Sequence, residues 1–344
     1  MSKLPVTIKV IARQLKLSIS TVSRALQNHP SIGLRTRERV QALAQRLQYI
    51  PNQNALSLKT NRRYTLGVIL PDLLNPFFIQ ALEGIEEIAT ERGYLLTICP
   101  SHEKVNDEKR AVRLLTHSRV DGLLIAVART TTTYEHLHEL TALEVPFVLM
   151  DRPVTEVKAP SVTCDSRAGA EALTNFLIEK GFRRIAHLQG PAELEASGER
   201  REGFLRAMNR HGLPVEAGYI QTTDLTTPTT ERATRVLLAL QPRPEAIVAF
   251  NDYTALDAGR VARALGLRIN QDLALVSFGN HPMNAYLDCP PLATIEQHAY
   301  AMGAQATGLL LRLIESPAVA HPPDHIRLRP QLVINEPREA LMAG

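Results

Sequence analysis

From residue 64 onward the chain alternates short apolar segments with longer amphipathic ones, and this alternation limits its possible folds more than any other feature. The segments LGVILP (66–71) and GLLIAV (122–127) have the length and apolar character of buried strands. Residues 77–92 carry apolar side chains at helical spacing and end at Gly93. Strands that alternate with helices form parallel sheets covered by helices. We therefore predict doubly wound α/β structure here.

The alternation runs in two successive series, the second beginning near Val162. We predict further strands at 94–99, 147–150, 184–189, 246–250 and 273–278, and further helices at 168–180, 199–210, 255–265 and 302–314. Two series predict two similar parallel-sheet lobes. The carboxyl ends of their strands would face a cleft, where small molecules bind in such folds.

The first 63 residues differ from the rest of the chain in charge. They contain 12 Lys and Arg but only one acid, Glu38, for a net charge of +11, whereas the remainder carries −7. A strongly basic segment on an acidic body is typical of a nucleic-acid-binding module. The alternative is a basic segment that aids solubility or binds an acidic partner.

Three short helices fit residues 1–51. Thr7 can cap the first helix and Ser18 the second, and a third is predicted at 34–47. The predicted inward side chains are Ile8, Val10, Ile11 and Leu15 in the first helix and Val40, Leu43, Ala44 and Leu47 in the third. Two helices joined by a tight turn, with a third in support, form an all-α helix-turn-helix head.

The second of these helices, within LSISTVSRAL (17–26), has a polar face without an acid. Val22, Ala25 and Leu26 can pack inward. The outward side chains are then Ser20, Thr21, Ser23 and Arg24, all hydrogen-bond donors. A face of donors without acids fits the phosphates and base edges of DNA.

The sequence lacks the common catalytic and cofactor motifs GxSxG, HExxH, GxxxxGK[ST] and GxGxxG, so we predict no enzymatic activity, cofactor or metal. His136 and His138 are interpreted as solvated surface residues. Three cysteines without a CxxC spacing fit a reducing compartment. Neither a signal peptide nor an apolar run of about 20 residues is found. We predict a cytoplasmic protein without membrane association.

Several longer segments carry a resemblance. They are TIKVIARQLKLSISTVSRAL (7–26), YIPNQNALSLKT (49–60) and LGVILPDLLNPFFIQALEGIEEIATERGY (66–94), followed by VDGLLIA, VPFVLMDRP, GERREGFLRAM, AFNDYTALDAGRVARALGLRI and PPLATIEQ. In this order they resemble the LacI/GalR family of bacterial transcription regulators, essentially from end to end. The resemblance implies a DNA-binding head (1–51), a hinge helix and linker (52–63), and a core (64–344). That core would have the periplasmic-binding-protein fold and sense a small molecule, usually a sugar or nucleoside-like metabolite.

The resemblance also assigns DNA contacts in the head. Ile19 and Ser20 fall where family members contact base edges, and Arg24 supports that assignment. Thr7, Ser18, Thr21, Ser23 and Asn28 fall where members contact phosphates. Ile19 shares a helical stripe with Val22 and Leu26 and could instead be a core residue. If Ile19 contacts the major groove of DNA, its expected partner is a thymine methyl group.

The hinge segment NQNALSL (52–58) supplies the predicted DNA contacts Asn52, Ala55 and Leu58. Leu58 matches the leucine that family members insert into the minor groove, which kinks the DNA. Seven residues do not sustain a helix alone in water, so this segment is either a plain linker or a helix that forms only when docked. Two hinge helices acting together imply a homodimer on a near-palindromic operator.

In the cleft, Phe78, Asp151, Arg200 and Asn251 fall at effector positions of the family. Many members place an Asp pair after the strand that ends in LVSF, and the first Asp holds the ligand. This chain has Gly279 and Asn280 there, a departure that removes a ligand acceptor. Alternatively, Asp151 and Arg200 form an ion pair between the lobes.

Together these features predict a homodimeric transcription regulator, a repressor, that binds near-palindromic operator DNA. A small-molecule effector, a sugar or sugar derivative, would bind between the lobes and change DNA affinity. The alternative is a cytoplasmic small-molecule-binding receptor without DNA-regulatory output. An enzyme acting in the cleft ranks third.

Overall fold

The computed structural model describes residues 6–49, 62–316 and 324–335. The chain divides into two compact units, residues 1–64 and 65–344, which are treated separately below. Within the described ranges, no helix is both long and apolar enough to cross a membrane. Most of the predicted hinge and linker (52–63) lies outside the described residues, and so do its three predicted DNA contacts.

The described part of the first unit contains three helices: α1 (Ile8–Leu15), α2 (Ile19–Leu26) and α3 (Leu34–Arg46). Lys16, with φ of 55°, ends α1 and allows the tight turn into α2. Ser18 caps α2 as predicted, because its hydroxyl accepts the Thr21 N–H at 3.1 Å. Thr7 occupies the N-cap position of α1, but its side chain makes no capping bond.

A small apolar core joins the three helices. Its buried members are Ile11, Ala12, Val22, Ala25, Val40, Leu43 and Ala44. The inward prediction for Val10 was wrong, since that side chain is 39% exposed. The arrangement is the helix-turn-helix predicted from the sequence.

The described residues of the second unit form two six-stranded sheets. The strands are β1 (Thr65–Leu70), β2 (Leu95–Pro100), β3 (Gly122–Ile125), β4 (Phe147–Met150), β5 (Ser161–Cys164), β6 (Ile185–Gln189), β7 (Ile220–Thr222), β8 (Ala246–Ala249), β9 (Ala274–Phe278), β10 (Ala293–Glu296), β11 (His325–Leu328) and β12 (Gln331–Ile334). The first sheet has the order β11-β5-β4-β3-β1-β2 and is parallel throughout. The second, β12-β10-β9-β8-β6-β7, is parallel except for the β10–β12 pair.

Helices cover both faces of each sheet, as expected for doubly wound lobes. They are α4 (Pro76–Glu91), α5 (Val105–His117), α6 (Glu135–Ala142), α7 (Ser166–Glu179), α8 (Glu195–Arg210), α9 (Thr227–Ala239), α10 (Asp252–Ala264) and α11 (Ala299–Glu315). In the first lobe, α4 and α11 pack on one face and α5 and α6 on the other. In the second lobe, α7 and α8 face α9 and α10 across the sheet.

The prediction of two lobes that follow one another in sequence was wrong in one respect. The chain crosses from the first lobe to the second after β5, returns after β10 through α11, and crosses again between β11 and β12. Helix α11 belongs to the first lobe because it packs closely on α4. A Cβ at Gly303 would lie 1.9 Å from the Ala81 carbonyl oxygen, so only glycine permits this approach.

His136 is another correction, because it is buried and not on the surface. Its Nε2 lies 2.7 Å from Glu108 Oε1, and the Thr131 hydroxyl donates to the same oxygen at 3.1 Å. The second oxygen of Glu108 accepts the Ala128 N–H. Spacing along the chain does not reveal this buried polar cluster, because the partners of Glu108 are 20–28 residues away from it.

Candidate functional sites: the recognition helix and the interlobe cleft

Helix α2 exposes the side chains that the sequence assigned to base contact. Ser20 and Arg24 are exposed, and Ile19 is 47% exposed and absent from the core of the head. The alternative that Ile19 is a core residue is therefore wrong. Val22 and Ala25 occupy the inward face instead. An exposed branched apolar group at the start of a helix is available for contact with a base methyl group.

The first turn of α2 gathers hydroxyl groups at the N-terminus of the helix. Ser18 Oγ lies 2.9 Å from Ser20 Oγ and 2.8 Å from Thr21 Oγ1. The turn contains no acid. Hydroxyls and a helix N-terminus free of negative charge suit a phosphate.

Among the other predicted phosphate contacts, Asn28 is partly engaged within the head. Asn28 has φ of 55°, and its Oδ1 accepts from Gln41 Nε2 at 2.8 Å, which leaves its amide nitrogen for a ligand. Ser23 is half-buried, whereas Thr7 is exposed before α1. Asn52, Ala55 and Leu58 lie outside the described residues.

In the second unit, a cleft of about 150 Å³ separates the two lobes at the carboxyl ends of their strands. Five of the six predicted effector residues line it: Phe78, Asp151, Arg200, Asn251 and Gly279. Asn280 does not. Its Nδ2 donates to Glu296 Oε2 at 2.8 Å and its backbone N–H to the Thr294 hydroxyl at 3.1 Å. The structure therefore places Asn280 outside the lining of the cleft.

Arg200 is buried between two aromatic rings. Its guanidinium carbon lies 4.3 Å from the ring centre of Phe250 and 3.9 Å from that of Phe278, and it donates to the Phe250 carbonyl. Burial lowers the pKa of Arg200 to about 10, against the opposing influence of Asp151. The group is therefore charged at neutral pH. Its Nε has no hydrogen-bond partner among the described residues.

Asp151 pairs with its neighbour in sequence and not with Arg200. Its Oδ2 lies 3.6 Å from Arg152 Nε, and no salt bridge joins Asp151 to Arg200 within the described part of the chain. The interlobe ion-pair alternative is thus unsupported. Burial raises the pKa of Asp151, although both arginines oppose the shift.

Arg152 is a cleft residue that the sequence did not single out. Its guanidinium binds both oxygens of Glu103 at 2.7 Å, donates to the Val127 carbonyl at 2.8 Å and lies 5.9 Å from the centre of the Phe78 ring. Burial opposes ionisation of Glu103, but Arg152 outweighs it, so the pKa of Glu103 lies below its usual range. Its position next to Asp151 in VPFVLMDRP was the available signal.

Asn251 and Gly279 line the cleft but differ from expectation in what they offer a ligand. Asn251 caps α10, because its Oδ1 accepts the Thr254 N–H at 2.8 Å and the Thr254 hydroxyl at 2.9 Å. Only its amide nitrogen remains for a ligand. Gly279 has φ of 127°, and a Cβ there would lie 3.2 Å from Asp252 Oδ2. A second carboxylate at position 279 would therefore be strained and repelled.

Asp252 is the buried centre of this wall. Its oxygens accept from the backbone N–H of His281 at 2.6 Å, from Thr294 Oγ1 at 3.1 Å, from Asn284 Nδ2 at 3.2 Å and from Ser277 Oγ. Burial raises the pKa of Asp252, and these four donors counteract the shift. The carboxylate thus organises the segment that follows β9, and its acceptor capacity is used within the protein.

A basic helix-turn-helix head joined to a two-lobed α/β core with a cleft at the carboxyl ends of its strands defines a ligand-responsive DNA-binding regulator. Residues 7–52 match the description "Bacterial regulatory proteins, lacI family". Residues 63–333 match "Periplasmic binding proteins and sugar binding domain of LacI family". The chain belongs to the LacI family of bacterial regulatory proteins.

Curated relatives and solved structures agree with this assignment. The transcriptional repressor CytR of Escherichia coli K12 is 33% identical over 307 residues, 89% of each chain. The structure of the lac repressor dimer bound to operator and the anti-inducer ONPF matches with a TM-score of 0.83 and 25% identity, over 97% of this chain and 99% of that one. A complex of the regulator CelR with cellobiose matches with a TM-score of 0.72 and 26% identity, over 96% and 99%.

The protein is therefore a DNA-binding transcriptional repressor of this family and not an enzyme. A receptor without DNA-regulatory output is not favoured, because the match to regulators includes the helix-turn-helix head. Within the described residues, no group of three His, Cys, Asp or Glu side chains is placed to hold a metal ion.

Proposed function

We propose that this repressor acts as a homodimer on a near-palindromic operator and that a sugar or sugar derivative in the interlobe cleft sets its DNA affinity. The observation that carries the proposal is the exposed, acid-free face of α2 in a head that is strongly basic. Such a protein works in the cytoplasm, where its DNA is. The domain limits 1–51, 52–63 and 64–344 and the hinge contacts Asn52, Ala55 and Leu58 are part of this proposal.

The base-reading assignment predicts a change of operator when Ile19 and Ser20 are exchanged. A side chain that only packs in the core would change stability and leave sequence preference unchanged, whereas a base reader changes preference at particular positions. Selection of binding sites from random DNA by the wild type and by the double variant Ile19→Ser, Ser20→Ile measures this. We expect altered bases at symmetric positions of the two half-sites. An unchanged site with equal affinity would remove both residues from the base-reading role.

Two apolar surfaces of the core support dimerisation. In the first lobe, the edge strand β2 exposes 72% of Leu95 and 39% of Ile98, and α5 exposes 56% of Leu114. In the second lobe, Met283 and Tyr286 are 42% and 77% exposed. Exposed apolar side chains on an edge strand are costly in water unless another chain covers them. The dimeric lac repressor relative indicates a second copy as the occupant.

For the assembly, we expect a dimer at micromolar concentration in sedimentation velocity. Leu95→Glu places a charge in the proposed interface and should weaken dimerisation at least about tenfold. Leu143→Glu is the matched control, because Leu143 is 62% exposed in the same lobe but lies at the end of α6. A wild-type tetramer, or equal dimerisation by the Leu95 variant, would contradict this interface.

The effector part of the proposal is supported by the contents of the cleft. Phe78 supplies an aromatic surface and Arg200 a buried cation. The CelR–cellobiose relative is a sugar complex of a similar chain. A ligand that prefers one closure of the lobes shifts the equilibrium between DNA-binding and non-binding forms. Anisotropy of labelled operator, titrated with protein in the presence and absence of candidate sugars, tests the coupling.

A further inference from the structure

The hydrogen-bonding groups that line the cleft are unequally occupied. Several lining acceptors are used inside the protein: Asn75 Oδ1 by the Phe77 N–H, Asn251 Oδ1 by Thr254, both oxygens of Glu103 by Arg152 and both oxygens of Asp252 by four donors. The buried lining atoms without a partner among the described residues are donors, Arg200 Nε and His281 Nε2.

The tautomer of His281 follows from its other nitrogen. The backbone N–H of Met283 donates to His281 Nδ1 at 3.0 Å, so Nδ1 carries a lone pair. In the neutral ring the proton is then on Nε2, which makes this atom a donor. The ring is held in place by Tyr253, with ring centres 5.5 Å apart at 70°. A buried donor without a partner costs free energy, and a ligand acceptor would remove that cost.

The two donors belong to the same wall of the cleft. Arg200 packs on Phe278, the last residue of β9, and His281 follows three residues later, after Gly279. Because Gly279 has no side chain, no acceptor intervenes at the position where many family members carry an aspartate. The wall therefore offers donors where those members offer an acceptor.

We propose that His281 is a specificity-determining residue that donates Nε2–H to the effector, and that the effector presents a carboxylate or carbonyl oxygen to His281 and Arg200. A sugar acid or its lactone has this chemistry, whereas the corresponding alditol has only hydroxyls. The buried Arg200 guanidinium lacks a carboxylate within salt-bridge distance in the described residues, which favours an anionic group from the ligand. This inference rests on the proposed effector function and names its ligand class.

The test uses five-carbon and six-carbon probes in matched series. In each series, calorimetry on the full-length protein compares the aldonate and the aldonolactone with the alditol of the same configuration. We expect the wild type to bind at least one aldonate or lactone about tenfold or more tightly than its alditol. His281→Gln retains a donor near the Nε2 position and should keep this ratio. His281→Asn retains an acceptor for the Met283 N–H but loses the donor, and should reduce the ratio about tenfold. His138→Asn is the control, because the His138 side chain is exposed on α6.

Each of three results would overturn the inference. They are an alditol that binds as well as its acid and lactone in every series, the failure of all probes to bind, and an unchanged affinity ratio in His281→Asn. Thermal unfolding of each variant without ligand reports any structural role, which should be small in the Asn variant because its acceptor is retained. Operator anisotropy is measured separately. If acids bind but DNA affinity never responds, the proposed function fails and the ligand class stands. If an alditol binds and changes DNA affinity, the proposed function stands and the ligand class fails.

Discussion

Replacing Arg24 with alanine should lower operator affinity about a hundredfold or more without unfolding the head. Arg24 is exposed on the outer face of α2. A bidentate arginine–base contact contributes about 1–3 kcal/mol, and a symmetric dimer loses two such contacts. Anisotropy with an operator selected by the wild type measures the loss, and circular dichroism measures the fold.

Arg46→Ala is the matched control for charge. Arg46 is exposed at the end of α3 and lies outside the recognition helix. Its loss removes the same charge and should weaken binding to all sequences only by the modest electrostatic contribution of one cation. Equal losses in the two variants would mean that Arg24 contributes charge and not base recognition.

Replacing Asp252 with alanine should lower the free energy of unfolding of the core by at least about 3 kcal/mol. The substitution leaves four donors without their acceptor, and each buried donor without a partner costs about 1–3 kcal/mol, less where water reaches it. The donors come from β9, β10 and the segment between them, so this wall of the cleft would lose its organisation. Urea unfolding followed by circular dichroism measures the difference.

Asp257→Ala on the same helix provides the comparison. Asp257 forms a surface pair with Arg260 at 3.4 Å, and the arginine is 57% exposed. Exposed ion pairs contribute about 0–1 kcal/mol, so this variant should unfold close to the wild type. A loss in Asp252→Ala no larger than in the control would show that water or rearrangement replaces the lost acceptor.

The sequence predicted the features that repeat along it. Apolar spacing identified the helices of the head and most strands of the lobes, and Ser18 identified the start of α2 because capping is a local interaction. The strands at Ile220–Thr222, Ala293–Glu296 and His325–Leu328 were not identified, because these short segments include polar residues and lack a continuous apolar run.

The cleft was less predictable because its chemistry depends on distant partners. Arg152 and Glu103 are 49 residues apart, and Asp252 contacts Thr294, 42 residues away. The sequence showed that Gly279 replaces the usual aspartate, but it did not show why. In the structure, a side chain at position 279 would lie against Asp252, and His281 supplies the donor on that wall. Such relations follow from folding and not from spacing along the chain.

The three crossings between lobes also determine the order in which the core is completed during synthesis. The first lobe needs α11 and the edge strand β11, yet all but the last strand of the second lobe precedes them in the chain. A ribosome-bound chain ending near residue 290 therefore has β5 as an uncovered sheet edge and α4 without the helix that packs on Gly84. Domains usually fold as they emerge, amino-terminal first. Here the first lobe must wait for nearly the whole chain, so both lobes mature together late in translation.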